Sequence, residues 1–334
     1  MACCCWPAGA FICLRGRNKN TIHYFLLIIN CSLTNVPLVT IIALCYNHAP
    51  FLRQALDSIL AQDYPHLEVW LVDDASQDGS PDILREYAQA HPTWHLLLLP
   101  HNLRNCRAFN QAFFRSKGDY VLDFATDDVL LPHRISQQVA LFERLGPAYG
   151  IVYSNAELID EQGVVVRQHH RPDGRGGLLP RPASGWVLAD VLGRYFICSP
   201  TMLVRRAVLE HLGGYDEKLT FEDFDLWVRA SPDWQFHYQD AVTTQRRLHP
   251  RSMSTRAYQP NDPYLLSNIA VCRKAVALVR TPAEHAALGV RLRWELLQAL
   301  RHRQWSAARD LADLLHLAGR RHPLDYVLGL LARR

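Results

Sequence analysis

From Pro37 onward the chain alternates short, continuously apolar runs with amphipathic stretches, and few folds satisfy that pattern. A run such as Leu38 to Leu44 has no polar face, so it reads as a strand covered on both sides, as in parallel sheets with flanking helices. Pro50 then opens a helix in which Leu52, Ala55, Leu56, Ile59 and Leu60 follow helical spacing. Leu67 to Val72 is a second strand, ending on the polar turn Asp73 to Gly79, after which Ser80 is expected to cap a helix with Pro81 at its first position. Leu96 to Leu99 is a third strand. Arg104 to Arg115 is helical, with Ala108, Phe109, Ala112 and Phe113 on one face, and Tyr120 to Phe124 is a fourth strand running into Thr126-Asp127-Asp128. The pattern predicts an α/β fold, Rossmann-like, with a mainly parallel sheet and flanking helices.

Farther along, Pro132 opens another helix and Ile151 to Tyr153 is a strand. Ala156 to Ile159 and Val164 to Arg167 flank Glu161-Gln162-Gly163 as a hairpin would. Arg171 to Ser184, rich in Gly, Pro and Arg, has no periodicity and reads as a loop. Helices are expected from Arg206 to a Gly213-Gly214 stop and from about Glu222, and from Pro263 the pattern is helical to the end. The resulting division is an N-terminal extension over 1–35, an α/β domain over 36–260 and a helical C-terminal region over 261–334.

At 334 residues and 49% hydrophobic, the chain can bury a large core. A net charge of +4, without a dense basic block interleaved with aromatics, argues against a nucleic-acid partner. Five of nine cysteines precede residue 32 and no later pair has C-x-x-C spacing, which argues against a zinc site or a disulfide framework and fits a reducing compartment. The apolar run Tyr24 to Ile29 is far short of the roughly 20 residues that cross a bilayer. It lacks the cleavage pattern of a secretion signal, so residues 1–35 are expected to be a dispensable extension of a cytoplasmic or peripheral protein. After residue 300 there are seven Arg against three Asp. A solvated helical face is the plain reading of these charges, and contact with a membrane surface is the alternative.

Ligands of open α/β sheets sit at the carboxyl ends of the strands. Here those ends carry Tyr46-Asn47, Asp73-Asp74 and Asp127-Asp128. A single acid pair is compatible with a solvated turn; two pairs at neighbouring strand ends, with no G-x-G-x-x-G and no Walker loop, suit phosphates bound through a divalent cation. A third cluster, Glu222-Asp223-Phe224-Asp225, follows Gly213-Gly214-Tyr215-Asp216. Acids at a helix start favour the dipole, but that accounts for one carboxylate rather than the set.

Taken together, these motifs resemble the family-2 inverting glycosyltransferases of the GT-A fold, over roughly Pro37 to Ser254. Val39 to Asn47 is similar to that family's first strand and its Tyr-Asn end, and Val72 to Ser80 to its Asp-Asp-Gly-Ser turn, with Ala75 where Gly is usual. Ala125-Thr126-Asp127-Asp128 stands where many members have Asp-Ser-Asp-Asp, a variant resembling the spore-coat polysaccharide glycosyltransferase type. The resemblance implies transfer of a sugar from a nucleoside diphosphate, UDP or dTDP, to a glycan or lipid-linked acceptor, with hexosyltransferase-like chemistry supported by Mg²⁺ or Mn²⁺. It implies that Tyr46 and Asp74 contact base and ribose, that Arg104, where Gly is more usual, points to the nucleotide, and that Asp127 and Asp128 face ribose and metal. Asp223 is implied as the general base beside Glu222, and His249 as a residue near metal or diphosphate, although a lone histidine is plainly read as structural. Two rivals stay open. A nucleotidyltransferase would need a Gly-rich basic loop after the first strand, where Tyr46-Asn47-His48-Ala49-Pro50 stands; a binding protein without turnover is suggested by Ala75 and Ala125.

Overall fold

The computed structural model describes residues 36–250, 262–319 and 323–332. The expected extension over 1–35 and the expected boundary at 260 therefore lie outside the described residues. The chain order begins β1 (Val39–Cys45), α1 (Ala49–Leu60), β2 (Leu67–Asp73), α2 (Ser80–Ala90), β3 (His95–Leu98), α3 (Asn105–Phe113), β4 (Tyr120–Ala125) and β5 (Val129–Leu130). It continues with α4 (Arg134–Leu145), β6 (Tyr149–Ile159), β7 (Val165–Gln168), β8 (Arg171–Pro172), β9 (Leu178–Leu179), α5 (Leu188–Gly193), β10 (Leu203–Arg205) and α6 (Arg206–Leu212). The last elements are α7 (Asp223–Ala230), β11 (Gln235–Arg247), α8 (Pro263–Leu278), α9 (Pro282–Arg301), α10 (Trp305–Leu317) and α11 (Pro323–Ala332).

The main sheet runs β3-β2-β1-β4-β10-β6-β11-β5, with β7 paired to β6. Strands β3, β2, β1 and β4 are mutually parallel, as their apolar runs require. The second half is mixed: β10 is antiparallel to both β4 and β6, whereas β11 is parallel to β6. Because β10 is antiparallel to both neighbours, β4, β6 and β11 all point their carboxyl ends the same way, which is what assembles a site there.

Side chains of β1 alternate between two cores. Val39, Ile41 and Ala43 pack with Leu52, Leu56 and Phe142 beneath α1 and α4. Ile42 lies in the other core, which takes in α3, α5 and α7 and is continuous with Leu265, Leu292, Leu311 and Leu328 of the C-terminal helices. The described residues from Pro37 onward thus form one compact unit. The helical C-terminal region is present from Pro263 and covers one face of the sheet rather than standing apart.

Several local expectations change. Ser80 does not cap its own helix; the N-cap is Gly79, and the buried Ser80 hydroxyl accepts from the His48 amide at 3.2 Å. The Arg171–Ser184 loop contains a two-stranded ribbon, Arg171 pairing with Leu179. The hairpin is present, with Leu158 opposite Arg167. The Gly-Gly stop holds because Gly213 takes the left-handed conformation, φ 71°, that ends α6.

Candidate active site

Three loops, after β1, β2 and β3, build one corner of the candidate site. Asn47 (φ 58°) directs its amide to Ser76 Oγ at 2.9 Å and accepts from the Gln77 amide at 2.7 Å, tying the first loop to the second. Asp73 accepts from the Ser76 amide at 2.9 Å. The buried Asp74 carboxylate accepts from the backbone amides of Leu103 at 2.6 Å and Arg104 at 2.9 Å, although burial raises its pKa. Tyr46 is 46% exposed at the mouth of this corner, and the Arg104 side chain is exposed beside it in sequence order before α3.

The two residues that replace the family's glycines, Ala75 and Arg104, both have positive φ, 61° and 67°. Arg104 has ψ 166°, a region that nearly always belongs to glycine. Its strained backbone persists because Asp74 and Asn102 Oδ1, at 3.1 Å, both accept from its amide.

The acid pair after β4 meets β11. Asp127 Oδ2 lies 3.0 Å from His249 Nε2, and the Asp128 carboxylate accepts from the Arg247 amide at 2.8 Å. Burial alone would raise the Asp127 pKa, but the His249 hydrogen bond and nearby His48 bring it below the usual carboxylate range. Asp128 is pushed well above that range by burial and by the charge of Asp127. Arg247 clamps the loop: Nε donates to the Asp127 carbonyl at 2.9 Å, a terminal nitrogen donates to Gln54 at 2.7 Å, and the guanidinium lies 4.7 Å over Phe51. His48 donates or accepts at Thr126 Oγ1, 3.0 Å away.

Glu222 and Asp223 enter from α7, whose placement depends on the Gly-Gly turn. A side chain at Gly214 would press within 2.6 Å of Asn110 Oδ1, the oxygen that accepts from the Tyr215 amide at 3.0 Å. Tyr215 stacks on Phe109 at 4.2 Å. Arg229 donates to the Leu212 and Gly214 carbonyls, and Lys274 of α8 bridges Asp216 and Asp225, each at 2.6 Å. The Asp223 carboxylate accepts from Ser199 Oγ at 3.0 Å and from the Phe224 amide at 2.6 Å. Glu222 accepts from Asn105 and lies near Asp123, whose pKa burial raises to about 7. Burial, together with Asp123 and Asp223, raises the Glu222 pKa well above its ordinary range. Burial also raises Asp223, but its two hydrogen bonds and the charge of Arg246 work against that rise.

Sequence reading missed Arg246, whose charge acts on both Asp128 and Asp223. It also missed Asp123. His249 is brought to Asp127, so the histidine that could have been merely structural adjoins the acids. Among the described residues no group of three or more His, Cys, Asp or Glu side chains is placed to hold a metal ion by itself. Two buried carboxylates and an imidazole, one carboxylate pushed well above its ordinary range by burial and by the charge of its neighbour, are the kind of oxygen and nitrogen donors that a divalent cation completed by phosphate oxygens would take.

A family model described as Glycosyl transferase family 2 matches residues 40–213. The chain belongs to that family and is a glycosyltransferase. An uncharacterized glycosyltransferase of Rickettsia prowazekii is 29% identical over 230 residues, 68% of this chain and 69% of the relative. The putative glycosyltransferase EpsE of Bacillus subtilis is 32% identical over 199 residues, 58% of this chain and 66% of the relative. A Rickettsia felis glycosyltransferase, 29% identical, is longer: the aligned part covers 68% of this chain but 36% of that protein. Among solved structures, Staphylococcus aureus TarS 1–349 in complex with UDP-GlcNAc has a TM-score of 0.62 at 17% identity, covering 89% of this chain and 91% of that one. The mannosyltransferase PcManGT of Pyrobaculum calidifontis, in complex with GDP-Man and Mn²⁺, has a TM-score of 0.52 at 22% identity, covering 90% and 85%. At these identities the likeness establishes the GT-A fold. Among the described residues no helix is long and apolar enough to cross a membrane.

Proposed function

We propose that the chain transfers a sugar with inversion from a nucleoside diphosphate, UDP or dTDP, to a hydroxyl of a surface glycan or lipid-linked acceptor at the cytoplasmic face of a membrane. The observation that carries this reading is the meeting of β4, β11 and α7, which sets Asp127, Asp128, Arg246, His249 and Asp223 around one end of the sheet. The acid pair and the proposed base both lie within reach of the Arg246 charge, which supports a shared site.

Tyr46 offers its exposed ring to the base, and Asp74 holds the Arg104 backbone so that its side chain reaches the nucleotide. Asp127, Asp128 and His249 would hold Mg²⁺ or Mn²⁺, which supplies positive charge to the departing diphosphate. Arg246 adds a fixed charge on the same side. The acceptor oxygen bonds to the anomeric carbon as the carbon–phosphate-oxygen bond breaks, and the acceptor proton passes to Asp223. Glu222, whose pKa burial and its acidic neighbours raise above that of an ordinary carboxylate, holds its proton more readily and is assigned to support the base rather than to act as it. The acceptor class is supported by TuaG of Bacillus subtilis, named a putative teichuronic acid biosynthesis glycosyltransferase and 34% identical over 138 residues, 41% of this chain.

Asp128→Ala tests the reading. Calorimetry with UDP and dTDP should show metal-dependent binding in the parent and, in the variant, affinity lower by on the order of 10–100-fold with the metal dependence gone. Equal metal-dependent affinity in the two proteins would remove Asp128 from the site.

A further inference from the structure

Helix α9 is apolar on two sides. Its inner face, Leu288, Leu292, Leu296 and Ala299, is buried in the core. Its outer face carries Ala283, Ala286, Val290, Trp294 and Leu297 at spacings of three and four, all exposed, and the stripe ends at Arg301. Val290 is 49% exposed, Trp294 55% and Leu297 48%, although soluble helices normally present charge on this side. No acid lies on the stripe. Exposed Arg303 and Trp305 follow it directly.

The geometry points to this outer face of α9 as a docking surface for an anionic lipid bilayer. The inference rests on the proposed membrane-face reading and assigns it to particular residues. A partly inserted apolar stripe rimmed by Trp and Arg is the composition that settles at the boundary between headgroups and acyl chains. The guanidiniums match anionic headgroups. A second copy of this chain fits less well. Three half-exposed side chains offer on the order of 300 Å², short of the roughly 800 Å² per partner of a stable interface. The inner face of the same helix carries Arg291, whose guanidinium lies 4.8 Å over Phe224, the residue after Asp223. Docking the outer face therefore sets the base helix close to the lipid surface, where a lipid-linked hydroxyl would arrive.

Co-sedimentation of the full chain with phosphatidylcholine vesicles, with and without phosphatidylglycerol, tests this. The parent should bind the anionic vesicles, more weakly as salt rises. Val290→Ser/Trp294→Ser/Leu297→Ser should bind them about tenfold or more weakly while keeping the parent unfolding midpoint, since these side chains are outside the core. If the triple variant is unfolded, Trp294→Gln alone serves, with a smaller loss. Arg301→Gln/Arg303→Gln should lose the preference for phosphatidylglycerol. Parent protein that ignores anionic vesicles, variants that bind as the parent does, or a dimer in light scattering that the triple variant dissolves would each overturn the assignment. The assay reads no sugar transfer, so its failure is distinct from failure of the Asp128→Ala test.

Discussion

The parallel half of the molecule, β1 to β4, and the half from β6 to α11 solve different problems. The first half presents loops. Asn47, Ala75 and Arg104 sit at positive φ in the loops after β1, β2 and β3, and this corner is fixed by backbone amides donating to side chains of neighbouring loops 29 or 30 residues away in sequence. The second half fixes its groups by contacts that reach farther along the chain: Asp128 to Arg247 across 119 residues, Asp127 to His249 across 122, Lys274 to Asp225 across 49. The family match at 40–213 ends before Glu222, Asp223 and β11. Binding geometry is thus concentrated where the match lies, and the groups assigned to chemistry come largely from beyond it.

The largest expected effect tests that division. Asp223→Asn should lower turnover by about 10² to 10⁴-fold with donor affinity nearly unchanged, because the amide cannot take the proton yet keeps the size and an acceptor oxygen for Ser199. Glu222→Gln, which keeps a neutral donor, should lose far less. Steady-state kinetics alongside donor titration separates the outcomes; near-normal turnover in Asp223→Asn would move the base elsewhere and dissolve the contrast between the halves.

Next comes the tie between the C-terminal helices and the helix that carries the proposed base. Buried Arg291 lies between Tyr195, 4.4 Å away, and Phe224, donates to the Leu192 carbonyl and pairs with Glu295 at 3.4 Å. Arg291→Met leaves Glu295 buried without its partner and should cost about 3–5 kcal/mol of stability. Arg291→Met/Glu295→Leu should recover much of it. Chemical denaturation that finds the single variant as stable as the parent would show that the pair does not anchor α9.

How much of this was readable follows the same contrast. Strands β1, β2 and β4 are covered on both faces, so their continuous apolar runs announced them, along with Tyr46, Asp74, Asp127 and Asp128 at their ends. β11 left no such trace. Its thirteen residues, Gln235–Arg247, are mostly half-buried and polar, and register shifts at Gln239/Val242 and Val242/Thr244 break the alternation that marks a strand. Without the strand there was no reason to place Arg246 between Asp128 and Asp223. β10 and β5, of three and two residues, are too short to show a period. The glycine-replacing Ala75 and Arg104 were visible as departures, but only the backbone angles show that they are strained.

That strain gives a smaller effect of opposite sign. Arg104→Gly removes a non-glycine residue from φ 67°, ψ 166° and should stabilise the fold by about 1–3 kcal/mol. The same change removes the side chain proposed to reach the nucleotide. A raised unfolding midpoint with weaker UDP or dTDP binding is expected; a lowered midpoint would show that the Arg104 side chain contributes more to the fold than its backbone costs.

The smallest effect asks whether disturbance in the second half spreads to the site. Helix α9 begins with a capping box: Thr281 Oγ1 accepts from the Glu284 amide at 3.3 Å, and Glu284 Oε2 accepts from the Thr281 amide at 2.9 Å. Thr281→Ala should cost about 1 kcal/mol, which in a chain of this size lowers the unfolding midpoint by roughly 2 °C. Arg291 lies more than two turns inside the helix, beyond the turn that the cap secures, so Phe224 and Asp223 should stay in place and turnover should not change. If turnover falls in proportion to stability, the first turn of α9 and the base helix open together, and the C-terminal helices belong to the active site as one cooperative unit instead of supporting it from outside.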